Sequence, residues 1–270
     1  MKTRIVTAAV LVPLLLLFLI VLPIPCTVVL FGVLGAIGAY ELLMGTGLVK
    51  HIRLVAYAAV FAFFIPLWCY YGMNYAWGLL GALVFICVLF TELLVSKAKL
   101  PLRLLALTFM AGTLIPFLLC SVVRIFCGNH GRLLVYIPFV AAFMSDSAAY
   151  FVGSAWGKTK LAPIISPKKT VEGALGGIAG AIVSMMIYCL ILQFGFQVQV
   201  NYWYGLLYGA VGSLAGMFGD LCFSAIKRQV GIKDYSKLFP GHGGVLDRFD
   251  SVIVVAPLME LLLALIPMAV

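Results

Sequence analysis

Nine stretches of this chain are apolar for about the length of a helix that crosses a bilayer, and no water-soluble core absorbs that many. A hydrocarbon layer about 30 Å thick takes roughly 20 helical residues. The runs lie near 4–22, 26–46, 54–70, 76–95, 103–123, 133–153, 171–195, 203–225 and 249–269. Soluble domains are about half apolar and about a quarter charged; these 270 residues are 64% hydrophobic and 10% charged. The expected fold is an all-α integral membrane protein, a polytopic bundle of about nine transmembrane helices. Lys2 and Arg4 before the first run would also suit a secretory signal. No small-x-small cleavage site follows, and Pro23 to Cys26 is a poor lipoprotein box, so the first span is expected to stay.

Lys and Arg gather in cytoplasmic loops, and with a cytoplasmic N-terminus they alternate cleanly along the chain. Sixteen of the 18 then fall inside, and only Arg124 and Arg132 fall outside. The C-terminus is therefore expected outside. Much of the net charge of +9 is this bias; it fully accounts for Lys50, Arg53, Lys97, Lys99 and Arg103, and nucleic acid is not an expected partner. The seven cysteines form no C-x-x-C pair and read as small buried residues rather than disulfides or a zinc site.

Character changes near residue 130. Residues 1–130 read as a five-span scaffold, with Glu41 and Glu92 near cytoplasmic ends of spans. Residues 131–270 hold four spans, two longer cytoplasmic loops (154–170 and 226–248) and every aspartate. Chemistry is expected in this half. In the eighth span Gly205, Gly209, Gly212, Gly216 and Gly219 share one helical face. Such a seam lets helix backbones approach closely in lipid. Gly173, Gly176, Gly177 and Gly180 form a similar patch on the seventh span.

Asp146 in the sixth span and Asp220 in the eighth lean toward the cytoplasmic side. A carboxylate at mid-bilayer costs on the order of 3 kcal/mol on insertion scales, so it faces a partner or a wet cavity. One such acid serves structure as readily as function; two on the same side favour function. Ser224, Lys227 and Arg228 continue the Asp220 face as a polar stripe. Glu260, mid-way along the ninth span, has no assignment.

The loop at 153–173 lacks the glycine that a phosphate loop would need at 152, and no strand precedes it. Its useful part is Ser166-Pro167-Lys168-Lys169-Thr170. Serine as N-cap and proline at the first helical position predict a helix start, with Lys168 and Lys169 in a first turn that already favours anions. Lys158 and Lys160 suit anionic headgroups instead. In the loop at 226–248, Pro240 to Gly244 permits close approach of backbone to a ligand. Asp247 and Asp250, three apart, share a helical face, and each also suits an ordinary helix start. Mg²⁺ is commonly held by one or two acids and substrate phosphates. Asp220 and Asp247, ringed by cations, point to a metal and phosphate site.

Residues 224–250, SAIKRQVGIKDYSKLFPGHGGVLDRFD, resemble the C-terminal signature of the bacterial phosphatidate cytidylyltransferases, or CDP-diglyceride synthases. Every fixed position is met: Ser224, Lys227, Arg228, Lys233, Asp234, His242, Gly243, Gly244, Asp247, Arg248 and Asp250. The segments 146–153 and 166–173 are also similar to family segments, and so is the nine-span layout; the first half is similar by hydropathy alone. The resemblance implies an inner-membrane enzyme of phospholipid biosynthesis with its site on the cytoplasmic side. CTP and phosphatidate would give CDP-diacylglycerol and pyrophosphate. Asp220 and Asp247 would hold Mg²⁺, with a second cation as in the family's two-metal arrangement. Catalytic positions would be Asp220, Asp247, Lys227 and Arg228. Substrate would meet Lys168, Lys169, Ser224, Lys233, His242, Gly243, Gly244, Arg248, Asp146 and Asp250, with His242-Gly243-Gly244 as a backbone cradle. Membrane lipids are expected partners, and a homodimer stays open. The alternatives are a CTP-dependent polyprenol or phytol kinase, which would need a base, and an ion-coupled transporter, for which the outside loops are nearly blank of polar residues.

Overall fold

In the computed structural model residues 2–269 are described, with side chains from Ala9 onward; the topogenic Lys2 and Arg4 side chains lie outside that range. Each of the nine apolar runs is helical. Helix α1 (Lys2–Leu16) continues into a π-helical turn, Leu17–Val21, and α2 (Ile24–Tyr40) ends in another, Glu41–Gly45. Then follow α3 (Ile52–Tyr70), α4 (Tyr75–Val95) and a run broken into α5 (Leu102–Gly112), α6 (Leu114–Leu119) and α7 (Ser121–Cys127). Pro116 explains the first break: its ring nitrogen cannot donate to the Gly112 carbonyl, and α5 stops there.

Short α8 (Gly131–Leu134) leads to α9 (Ile137–Trp156), then β1 (Lys160–Ala162) and β2 (Ser166–Thr170). The chain ends with α10 (Val171–Leu190), α11 (Tyr202–Gln229) and α12 (Leu246–Leu265). Among the described residues, seven helical segments are long and apolar enough to cross a membrane. Within the described part of the first run, Ala9–Val21 is a shorter apolar helix. The ninth, α12, has the length but carries Asp247, Arg248, Asp250 and Glu260.

The chain forms two compact units, neither continuous in sequence. One is Met1–Cys127 with Gln229–Arg248; the other is Gly128–Arg228 with Phe249–Val270. In the first, α2 lies close against α3: a Cβ on Gly32 would stand 2.9 Å from the Phe63 carbonyl oxygen, and one on Gly35 3.3 Å from that of Ala62. α5 joins them where a Cβ on Gly112 would reach 3.0 Å from Ala58 Cα. Arg124, at the end of α7, spreads its guanidinium 4.4 Å from the Phe117 ring centroid and donates to Ser121 Oγ and the Phe117 carbonyl.

In the second unit α9 and α10 run antiparallel through glycine contacts. Gly173 meets Gly153 and Ala149, Gly176 meets Val152, Gly177 meets Ser145, and Gly180 meets Ala148. The expected seam on α11 is present and serves three neighbours in turn. Gly205 and Gly209 approach Cys189 and Ile182 of α10; Gly212 approaches Ala141 of α9 and Met259 of α12; Gly216 and Gly219 approach Val255 and the Asp250 carbonyl of α12. The hydroxyls of Ser145 and Ser213, both buried, bond across α9 and α11 at 2.6 Å, which gives each a partner away from water.

The helix start expected at Ser166 is absent. Residues 166–170 are strand β2, antiparallel to β1 with Lys160 opposite Thr170 and Ala162 opposite Ser166. The residue before a proline is driven toward extended backbone, which holds Ser166 in the strand. Proline is tolerated there because a two-stranded ribbon is all edge. The helix begins at Val171 instead. Thr170 is its N-cap, with extended φ/ψ and a hydroxyl that accepts from Gly173 N at 3.1 Å. Glu172 closes the loop by accepting from the backbone N–H groups of Lys158 and Thr159.

Candidate functional site

In the second unit, the expected site residues gather where α9, α11 and α12 meet the hairpin. Lys169 Nζ lies 2.5 Å from Asp220 Oδ2, and the Ser224 hydroxyl, one turn on, donates to Asp220 Oδ1 at 3.1 Å. Each oxygen of Asp220 thus faces a positive or donating group. Asp250 is within electrostatic range of Asp220, Lys227 and Asp146, and Ser251 bridges α12 to α9 by donating to Asp146 Oδ2 at 3.4 Å. Lys227 is buried. Arg228 is exposed, and its Nε donates to the Ile165 carbonyl at 3.2 Å, fixing the hairpin to the end of α11.

The strand changes what the two hairpin lysines can do. Neighbouring residues of a strand point to opposite faces, so Lys169 turns in to Asp220 while Lys168 is exposed. In the first turn of a helix both would have flanked one anion; here only Lys169 joins the acids.

In the first unit, the segment Gln229–Arg248 folds around two carboxylates. Asp247, buried at the start of α12, uses Oδ2 to accept from Tyr235 N at 2.8 Å and Gly244 N at 2.9 Å. Phe239 and Gly243 pair through both backbone N–H groups, turning the chain at Pro240-Gly241-His242. Gly243 has φ +80°, and a Cβ there would stand 2.6 Å from Asp247 Oδ2. At Gly244 a Cβ would collide with the Glu41 carboxylate. The glycines expected to cradle a ligand thus admit two carboxylates of the chain itself. Lys233 and Arg248 are exposed on either side of this turn, and His242 is half-buried.

The residue that sequence reasoning missed is Glu41. Read as part of the scaffold, it is 1% exposed and accepts three hydrogen bonds, from Ser236 Oγ at 2.6 Å, Val245 N at 3.0 Å and Leu246 N at 2.9 Å. Its one sequence signal is an acid inside an apolar run. The partners, 195 to 205 residues away, carry none.

The donor set around Asp220 suits a hard divalent cation, being carboxylate and hydroxyl oxygens without thiolate or imidazole. Among the described residues no three His, Cys, Asp or Glu side chains converge on a ready-made cage. An ion there would be of the kind held by one or two acids and completed by substrate phosphates. Three like-charged acids in low dielectric also need positive charge beside them, and Lys169 and Lys227 supply part of it.

Comparison with known proteins matches residues 2–266 to the model of the Cytidylyltransferase family. A phosphatidate cytidylyltransferase of Bacillus subtilis (strain 168) is 45% identical over 137 residues, 51% of this chain and 49% of that protein. One from Staphylococcus epidermidis (strain ATCC 12228 / FDA PCI 1200) is 42% identical over 135 residues, half of each chain, and one from Staphylococcus aureus (strain COL) is 38% identical over the same length. The chain spans about half the length of the curated relatives it matches.

Proposed function

We propose, since the chain belongs to the cytidylyltransferase family, that it transfers the cytidylyl group of CTP to phosphatidate in a membrane. The observation that carries this reading is the signature at 224–250 inside a family match that runs nearly end to end. The names of the relatives point to phosphatidate as the acceptor and a cytidylyl group as what is transferred. An oxygen of the lipid phosphate attacks the α-phosphorus of CTP; the bond to the bridging oxygen breaks, and its electron pair leaves with pyrophosphate. A phosphate monoester loses its second proton near pH 6, so the attacking oxygen is already anionic near neutrality and no base is required. That distinguishes the reaction from phosphoryl transfer to a lipid alcohol.

In this reading Asp220 holds a divalent cation, Mg²⁺ by its oxygen donors, and Asp247 is a second proposed ligand. Such an ion would neutralise charge on the leaving pyrophosphate. Ser224 orients the Asp220 carboxylate. Lys169 occupies one of its oxygens until an anion draws the ammonium away. Exposed Lys168, Lys233 and Arg248 meet substrate phosphates, Lys227 offsets the charge of the acids, and His242 serves as a hydrogen-bond donor rather than a base. The nine apolar runs are taken as nine spans of an inner membrane, with the N-terminus and both loops cytoplasmic, so that CTP arrives from water and the lipid from the leaflet.

Purified protein in detergent with Mg²⁺, CTP and phosphatidate should release pyrophosphate and form CDP-diacylglycerol. Formation of CDP with a lipid alcohol as acceptor would replace this reading by the kinase. Asp220→Asn keeps the shape and hydrogen-bonding reach of the side chain and removes its charge. It should elute and melt as the parent does while losing more activity than the roughly 10–100-fold typical when a metal ligand loses its hydrogen-bonding support. Near-parental turnover in that variant would remove Asp220 from the metal.

A further inference from the structure

We propose that Glu41 is a positioning residue for the signature segment, the peg that holds residues 235–246 in place for the reaction proposed above, on which this inference rests. Four observations within one unit lead there. The carboxylate is 1% exposed, in a π-helical turn at the end of α2, a local widening often found at functional positions. Three hydrogen bonds reach it from the segment: the Ser236 hydroxyl and the Val245 N–H on Oε1, and the Leu246 N–H on Oε2. Gly244 has no room for a Cβ because Glu41 fills that space. A Cβ on Gly45, at the end of the same turn, would collide with the Tyr235 carbonyl, so the segment is seated at a second point as well.

The physical logic is that of a helix start served from elsewhere in the chain. The first N–H groups of a helix have no partner within it and carry the positive end of its dipole. Glu41 takes the Leu246 N–H at the start of α12 and the Val245 N–H just before it. Asp247 holds the same loop from the opposite side through Tyr235 and Gly244. The loop is pinned between two carboxylates, only one of which belongs to the signature. Without Glu41 two buried N–H groups and a hydroxyl lose their acceptor, and the exposed cations flanking the loop lose their fixed base.

Glu41→Gln tests this with almost no change of shape. An amide has one acceptor oxygen, so its NH₂ must face either the Leu246 N–H or the Ser236 and Val245 donors. Two readouts are taken together well below the melting temperature: backbone hydrogen exchange by mass spectrometry, and cytidylyl transfer. The variant should show at least 10-fold faster exchange confined to peptides covering 235–247, unchanged exchange in α2 and α3, and at least 10-fold lower kcat/KM. Ser236→Ala should lower activity several-fold in the parent and have no further effect in Glu41→Gln, because both act through one contact. If Glu41→Gln does not accumulate folded, Ser236→Ala alone should give the same local exchange pattern at smaller amplitude.

Unchanged exchange at 235–247 overturns the proposal. So does faster exchange with activity within twofold of the parent, or loss of protection spread through α2 and α3, which would make Glu41 a general structural residue. A parent protein without cytidylyl transfer would sink the reaction; the exchange arm would still decide whether Glu41 holds the loop.

Discussion

At the scale of single residues, three acids of this chain are committed to donors of the chain itself. Asp220 is shared by Lys169 and Ser224, Asp247 by two backbone N–H groups, and Glu41 by three donors. In surroundings this apolar, a polar group left without a partner costs about 1–3 kcal/mol or more, so each is strongly tied to its place. Gly244→Ala probes how tightly. The added methyl group would overlap a carboxylate held by three hydrogen bonds, so either the loop or Glu41 must yield. Overpacking of this kind typically costs about 1–3 kcal/mol. The expected result is a lower melting temperature in detergent together with reduced pyrophosphate release. Unchanged melting would mean that the turn has slack. Asp220 and Asp247 stood out in the sequence as acids beside apolar runs. Glu41 had the same mark, but its role depends on a fold that brings together residues 195 positions apart.

At the scale of elements, the bilayer-length runs and the offsets of the α11 glycines were readable because a helix converts spacing directly into a face. The hairpin was not. Ser166-Pro167 satisfies the rule for a helix start, yet Thr170 satisfies it as well, and only the pairing with Lys160–Ala162 decides between them. That shift of four residues sends Lys168 and Lys169 to opposite faces. The seam yields a sharp contrast for measurement. A Cβ on Gly209 would stand 2.7 Å from Ile182 Cα, which is backbone and cannot swing aside, whereas one on Gly195 would meet nothing nearer than 3.9 Å. Gly209→Ala should therefore lower the melting temperature of the detergent-solubilised protein clearly, by an effect of about 1–3 kcal/mol, and Gly195→Ala should leave it nearly unchanged. Equal effects would mean that the α10–α11 contact has slack.

At the scale of the whole molecule, the proposed nine spans would place the two termini on opposite sides of the membrane. A reporter fused after Val270 should signal outside and one fused before Met1 inside; a cytoplasmic signal at the C-terminus would overturn the nine-span layout. The discontinuity of the first unit has a consequence for how the protein comes to exist. Its Met1–Cys127 portion leaves the ribosome early, but the piece that completes it, Gln229–Arg248, follows only after α8–α11. Ser236 is made 195 residues after Glu41. At roughly 5–20 residues per second, a nascent chain waits on the order of 10–40 s for that contact. Through that interval Glu41 must remain wet or borrow a temporary donor. The order of synthesis thus gives this carboxylate a first host other than the loop that finally holds it.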